Sequence, residues 1–346
     1  MTTADTRVLV TGGSGFLGSH VILQLLNAGY AVRTTVRSAG REAAVRTMLR
    51  DASADTSRLT FAVADLTQDA GWAAAVADCT YVVHVASPFP ASQPKDEREL
   101  IGPAVDGTLR VLKAAHDGGV QRVVMTSSFA AIGYSPKPSG EPYDETDWTD
   151  ADRQTNAYVK SKTIAKRAAW DFAAAHPGSP ELTVINPVGI FGPALGADYA
   201  SSVGLIKALL DGKPPVLARA SFAVVDVRDD ADLHVRALTA AGAAGQRFVA
   251  ASGPPVTMPE IATILRSGLG AGAAAVPTQV APDWAVRLGA RFNSTMATLA
   301  GLLGAPKVIS TVKVTNVLGW TPHPIAETIL DTGRSLVAKS PLRRPA

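Results

Sequence analysis

Short apolar, β-branched runs alternate with amphipathic stretches through the first half of the chain. Arg7 to Thr11 (RVLVT), Ala31 to Val36 (AVRTTV), Arg58 to Val63 (RLTFAV), Tyr81 to Val85 (YVVHV), Arg122 to Thr126 (RVVMT) and Leu182 to Ile185 read as buried parallel strands. Between them, Ser19 to Ala28, Glu99 to His116 and Arg153 to Ala175 read as helices, the first two stopped by Gly29 and by Gly118-Gly119. Such unbroken alternation predicts an α/β fold with a doubly wound, Rossmann-type parallel sheet and right-handed crossovers. Ligands of such sheets bind outside the carboxyl ends of the strands.

After Pro193 the alternation weakens. Ser201 to Leu210 reads as a helix, Ala223 to Val227 as a strand followed by a helix to Ala241, and Arg247 to Ala250 as another strand. Met258 to Leu269 is amphipathic, and a last helix opens at about Ile325. The expected division is a Rossmann domain over 1–190 and 223–242, a smaller mixed α/β lobe over 191–222 and 243–335, and a tail over 336–346.

Composition narrows the class. Of 346 residues, 47% are apolar and 18% charged, as in an ordinary globular protein, and the net charge of +3 is too small and too evenly spread for a nucleic-acid surface. The single Cys79 excludes an intrachain disulfide and points to a reducing compartment. Met1 to Asp5 has no basic start leading into an apolar run, and no stretch reaches the ~18 apolar residues of a membrane span. A cytoplasmic protein with neither a nucleic-acid nor a membrane partner is expected, as a monomer or a homodimer.

Candidate chemistry gathers at the strand ends. Gly12, Gly15 and Gly18, spaced G-x-x-G-x-x-G with Phe16 and Leu17 between, follow the first strand and open a helix. Gly12 suits a tight turn, Gly15 lets backbone N–H groups approach a pyrophosphate, and Gly18 lets the helix lie close to the sheet. Where an NAD site has a carboxylate after the second strand, this chain has Arg37, with Arg41 nearby. A guanidinium fork pairs with a 2′-phosphate that a carboxylate would repel, so NADPH is the expected cofactor. Asp65, beside Leu66, ends the third strand and suits either the adenine amino group or a helix N-cap. Small residues after Val85, namely Ala86 and Ser87, leave room for ribose and phosphates. His84 and Cys79 read as packed core residues.

Ser127-Ser128 ends the fifth strand, and Tyr158 and Lys162 stand four apart, on one face of a helix if that segment is helical. A phenol beside an ammonium is a proton donor with a lowered pKa, as carbonyl reduction needs. An unperturbed tyrosine ionises near 10, and moving it about three units takes about 4 kcal/mol of differential stabilisation. Ser128 suits polarisation of a substrate oxygen.

Laid out in order, these pieces resemble the extended short-chain dehydrogenase/reductase family. The likeness is strongest to its dihydroflavonol reductase-like branch of NADPH-dependent aldehyde and ketone reductases. It rests on Thr11 to Gly18, Val36-Arg37, His84 to Pro88, Thr126 to Ser128, Tyr158 to Lys162, Asn186 to Pro193, Val225 to Asp229 and Leu318 to Trp320. The resemblance implies a catalytic triad of Ser128, Tyr158 and Lys162 and a 2′-phosphate contact at Arg37. It implies adenine contacts at Asp65 and Leu66, nicotinamide contacts through Pro187, Val188 and Ile190, and a cofactor-contacting serine near Ser201-Ser202.

The expected reaction is reduction of an apolar or aromatic carbonyl to an alcohol. Phe89, Phe129, Tyr134 and Tyr199 are candidates for the substrate pocket, each with core packing as its simpler explanation. Rival readings are a hydroxysteroid dehydrogenase, a sugar-nucleotide dehydrogenase or epimerase, and a cofactor sensor without turnover. Thr126 is followed by Ser127-Ser128-Phe129 rather than by acids, which counts against dehydration. The absent carboxylate after the second strand counts against an NAD-retaining epimerase, and the Tyr-Lys pair counts against a sensor.

Overall fold

The computed structural model describes residues 3–88, 96–196, 200–213, 215–304 and 306–339. The N-terminal half winds through β1 (Arg7–Thr11), α1 (Phe16–Asn27), β2 (Ala31–Val36), α2 (Glu42–Asp51), β3 (Leu59–Val63), α3 (Trp72–Val76) and β4 (Tyr81–His84). It continues through α4 (Arg98–Asp117), β5 (Arg122–Thr126), α5 (Ala157–Ala175) and β6 (Glu181–Pro187). Then come β7 (Gly189–Phe191), α6 (Ser201–Leu210), β8 (Ser221–Phe222), β9 (Val224–Asp226), α7 (Val227–Thr239), β10 (Arg247–Ala250), β11 (Val256–Thr257) and α8 (Met258–Leu269). The short helices α9 (Asp283–Gly289), α10 (Ser294–Ala300) and α11 (Val312–Leu318) lead to α12 (Ile325–Lys339).

The main sheet is parallel and has the order β10-β6-β5-β4-β1-β2-β3. Apart from the partly exposed edge strand β3, its strands are buried on both faces, and their residues alternate between two cores. Val8, Val10, Val83, Val124 and Ile185 pack on one side with α1 and α7. Leu9, Val82, Val123, Met125, Leu182 and Val184 pack on the other with α3, α4 and α5. That two-residue period, apolar on both phases, is why each run reads as continuously apolar. Chain direction across the sheet reverses between β1 and β4, which opens a crevice at their carboxyl ends.

Several borders differ from the sequence reading. Arg247–Ala250, placed with the smaller lobe, is the seventh strand of the main sheet, paired with β6 from Arg247↔Val184 to Ala250↔Pro187. Long-range pairing to β6 overrides its place in the chain. The proposed tail begins too early, because α12 runs to Lys339 and buries Leu336. The helix expected from Arg153 begins at Ala157, where the Asn156 side chain accepts the N–H groups of Tyr158 and Val159. The acids before it are engaged elsewhere: Asp147 pairs with Lys137 at 2.7 Å, and Glu145 accepts from Val249 N at 2.8 Å.

Candidate active site

Thr11 ends β1, and the chain turns through Gly12, whose φ of 73° is one that L side chains resist. A Cβ on Gly12 would stand 3.0 Å from Ala86 Cα, so the ends of β1 and β4 nearly touch here. Gly15 N donates to Gly12 O at 3.0 Å, and α1 begins at Phe16 with Gly15 as an N-cap that offers no side-chain acceptor. The leading N–H groups of α1 are therefore open to an anion. A Cβ on Gly15 would meet only Gly12 O, at 3.2 Å, which leaves the space in front of those groups clear.

Gly18 is needed for a different reason than expected. Its Cβ would lie 2.3 Å from Gly12 O, so it lets the helix fit against the loop's own carbonyl. Gly13, which the spacing did not single out, is as constrained: its Cβ would fall 2.1 Å from Thr34 Oγ1 on β2. Phe16 and Leu17 are buried in the core and would offer a ligand only their backbone.

Arg37 follows β2 and is exposed. Asp65 is near enough to Arg37 to feel its charge, and its carboxyl is held low first by bonds from the Thr67 N–H and hydroxyl. Those two bonds, at 2.8 and 2.7 Å, close a turn. Asp65 is not a helix N-cap, since α3 starts at Trp72 behind Gly71. Leu66 packs where a Cβ on Gly107 would be 2.9 Å away, at the seam between β3 and α4.

Val85, Ala86 and Ser87 are half-buried beyond β4. Ala86 N donates to Thr11 Oγ1 at 3.0 Å, and the same hydroxyl bonds His84 Nδ1 at 2.9 Å. Burial pushes the His84 imidazole down to about 3, so it is a neutral core residue at physiological pH. Cys79 is likewise buried, and burial pushes its thiol up.

Ser128 leaves β5 with extended backbone and caps a short 3-10 turn, its Oγ accepting from Ala130 N at 3.1 Å. Tyr158 reaches it from the first turn of α5, the phenol donating to Ser128 Oγ at 3.4 Å. Lys162, one turn on, lies with Nζ 5.7 Å from the Tyr158 ring centroid and donates to Ser87 Oγ at 2.8 Å. These elements bring Ser128, Tyr158, Lys162 and Ser87 together at the carboxyl ends of β4 and β5.

The electrostatics differ from the simple expectation. Burial pushes the Tyr158 phenol above its ordinary value, the Ser128 bond offsetting only part of that and Tyr134 adding to it. Lys162 is itself brought down to about 8 by burial. The ammonium points at Ser87 and lies over the ring rather than bonding the hydroxyl, so Tyr158 holds its proton at neutral pH instead of ionising readily.

On the third side, Pro187 ends β6, and Val188 and Ile190 continue half-buried. Val188 N donates to Ala250 O at 3.1 Å, and the Ile190 carbonyl accepts from the Ser202 hydroxyl. The pocket residues fare unevenly. Phe129 is buried and packs edge-on to Tyr143 at 6.0 Å in a small core with Ile132 and Val249. Tyr134 is 43% exposed, with Lys307 Nζ 4.1 Å from its ring centroid. Phe89 and Tyr199 lie outside the described residues.

Known proteins with these features are numerous. The model of the NAD dependent epimerase/dehydratase family matches residues 8–251. A cinnamoyl-CoA reductase of Medicago truncatula is 37% identical over 69% of this chain and 74% of its own. Dihydroflavonol 4-reductase of Zea mays is 35% identical over 75% of this chain and 73% of its own. Among solved structures, yeast methylglyoxal/isovaleraldehyde reductase Gre2, complexed with NADPH, superposes with a TM-score of 0.79 at 26% identity, covering 96% of this chain and 98% of that one.

Proposed function

The chain belongs to the NAD dependent epimerase/dehydratase family, the extended short-chain dehydrogenases/reductases, and on that premise we propose that it is an NADPH-dependent carbonyl reductase. Its substrate is an aldehyde or ketone with an apolar or aromatic body. The observation that carries this reading is the Tyr158 hydroxyl bonded to Ser128 Oγ, with Lys162 against the same ring. The reductase relatives and the NADPH complex of the yeast neighbour support it.

The chain has the means to hold that cofactor. The uncapped N-terminus of α1, the clear space in front of Gly15 and the tight approach of Gly12 to Ala86 fit a pyrophosphate. Arg37, exposed at the end of β2 where a carboxylate would exclude a phosphate, fits the 2′-phosphate. Asp65, Leu66, Val85, Ala86 and Ser87 border the adenine and ribose side, and Pro187, Val188 and Ile190 the nicotinamide side. When bound, the reduced nicotinamide supplies the hydride and carries the redox chemistry.

The protein's own residues orient and protonate. Ser128 donates to the carbonyl oxygen and stabilises the negative charge that develops there. Tyr158, protonated at neutral pH, delivers its proton to that oxygen, and the Lys162 ammonium lowers the cost of the phenolate left behind. Sheet and flanking helices form the cofactor-binding part, and the lobe after β7 shapes the substrate side.

A panel of aldehydes, ketones and β-ketoesters, followed by loss of reduced-cofactor absorbance, tests the assignment. Turnover with NADPH and a clear preference over NADH are expected, and Arg37→Asp is expected to erase that preference. Tight NADPH binding with no substrate reduced would favour a sensor instead. An equal effect of Arg37→Asp on both cofactors would remove Arg37 from the phosphate.

A further inference from the structure

At the outer flank of the sheet, beyond β10, lies a cavity of about 810 Å³. Trp148, Trp170, Arg247, Ser310 and Lys313 line it, together with Asp144 and Glu145. None of the residues of the candidate active site borders it. Arg247 opens the edge strand opposite Val184 in mid-β6, whereas the cofactor crevice is at the carboxyl ends of the strands.

The charges at this corner are unevenly matched. The Arg247 guanidinium lies 4.4 Å from the Trp148 ring centroid and Arg167 5.1 Å, so two guanidiniums flank one indole, while Lys166 Nζ, at 4.2 Å, is brought down to about 6 by burial and adds little charge at neutral pH. Lys313 stands across the cavity, 5.4 Å from the Phe248 ring centroid. Among the described residues, none of Arg247, Arg167 and Lys313 has a carboxylate oxygen within 4.0 Å.

The nearby acids already accept other donors. Asp144 accepts from its own loop, from the N–H and hydroxyl of Thr146 at 2.8 and 2.6 Å. Glu145 is buried and accepts from Val249 N at 2.8 Å. Arg247 Nη1 and Trp170 Nε1 are buried without an acceptor among the described residues. Burial holds Arg247 and Lys313 below their ordinary values, with the distant carboxylates compensating only in part. A cation taken from water without a counterion is costly, and an uncompensated donor adds to the cost.

We infer that this cavity is a second binding site, for a small organic anion held by Arg247 and Lys313 beside the Trp170 indole. A carboxylate or a phosphate group has the charge and the acceptor oxygens that the site lacks. A planar body attached to it would lie against the indole wall. The ligand enters without displacing the cofactor.

Calorimetric titration of the NADP+-saturated protein with benzoate and with inorganic phosphate, at constant ionic strength, tests this. Saturable binding of at least one anion is expected, with benzoate the tighter if the planar body matters and phosphate the tighter if charge alone does. Arg247→Gln should weaken it about tenfold. Lys313→Gln, at a less buried position, should weaken it by roughly threefold without loss of the fold, and Tyr158→Phe should leave it unchanged. No saturation with either anion would overturn the inference, as would unaltered binding to a folded Lys313→Gln protein or competition with NADP+. Because the readout is binding, failure here leaves the reductase assignment standing.

Discussion

Tyr158 and Lys162 owe their meaning to what surrounds them. Four-residue spacing places them on one helix face, but only the fold puts Ser128 at 3.4 Å from the phenol and Ser87 at 2.8 Å from the ammonium. The meeting of Ser128, Tyr158 and Lys162 was foreseeable because strand ends and a helix start have local signatures. The direction of the Tyr158 shift was not, since burial depends on elements distant in the chain and here outweighs the lowering effect of the Ser128 hydrogen bond. Lys162, brought down to about 8, is an ammonium below that pH and an amine above it. With the charge gone, the phenolate loses its stabilisation, so kcat/KM for reduction should fall as pH rises through about 8. Lys162→Arg, which keeps its charge, should move that alkaline limb upward while lowering the plateau. A limb unmoved in Lys162→Arg would assign it to another group.

At the scale of elements, the β1–α1 loop is the most legible part and also the one whose detail the spacing misjudged. Gly18 is constrained inside the loop, Gly12 against Ala86 at the end of β4, and Gly13 against β2 by Thr34, contacts that no local pattern announces. Gly15 is the least crowded of the four, a Cβ there meeting only Gly12 O at 3.2 Å. The consequence is a contrast between neighbours. Gly13→Ala should destabilise the fold by roughly 1–3 kcal/mol, as overpacking does, measured by chemical denaturation. Gly15→Ala should leave stability nearly unchanged and weaken NADPH binding several-fold, as read by cofactor fluorescence titration. Equal losses of stability in the two variants would mean that Gly15 serves packing and not the pyrophosphate. The start of α5 was misplaced by a few residues: Asn156 is an ordinary cap residue, but nothing local sets it apart from Arg153 as the point where the helix opens.

For the molecule as a whole, the alternating runs announced the doubly wound sheet but not its seventh strand. Arg247–Ala250 joins β6 across two α-helices and three short strands, and nothing in its own residues says which sheet it enters. One core also crosses the expected domain border: Val8, Val83 and Ile185 of the sheet belong to the same cluster as Ile206 of α6, Ile261 and Leu265 of α8, and Ile329 of α12. The two parts should therefore unfold together, with intrinsic fluorescence and far-ultraviolet dichroism giving coincident transitions in denaturant. Two separated transitions would restore independent domains. The account as a whole rests on carbonyl reduction with Tyr158 as acid, and isotopic transfer tests it most directly. Incubated with NADPH deuterated at the transferring position of C4 and a reducible aldehyde, the wild-type protein should yield an alcohol with deuterium on the carbinol carbon. Tyr158→Phe should bind the cofactor equally well and lose most of that transfer. Absence of deuterium from the product, or undiminished transfer by Tyr158→Phe, would contradict the account.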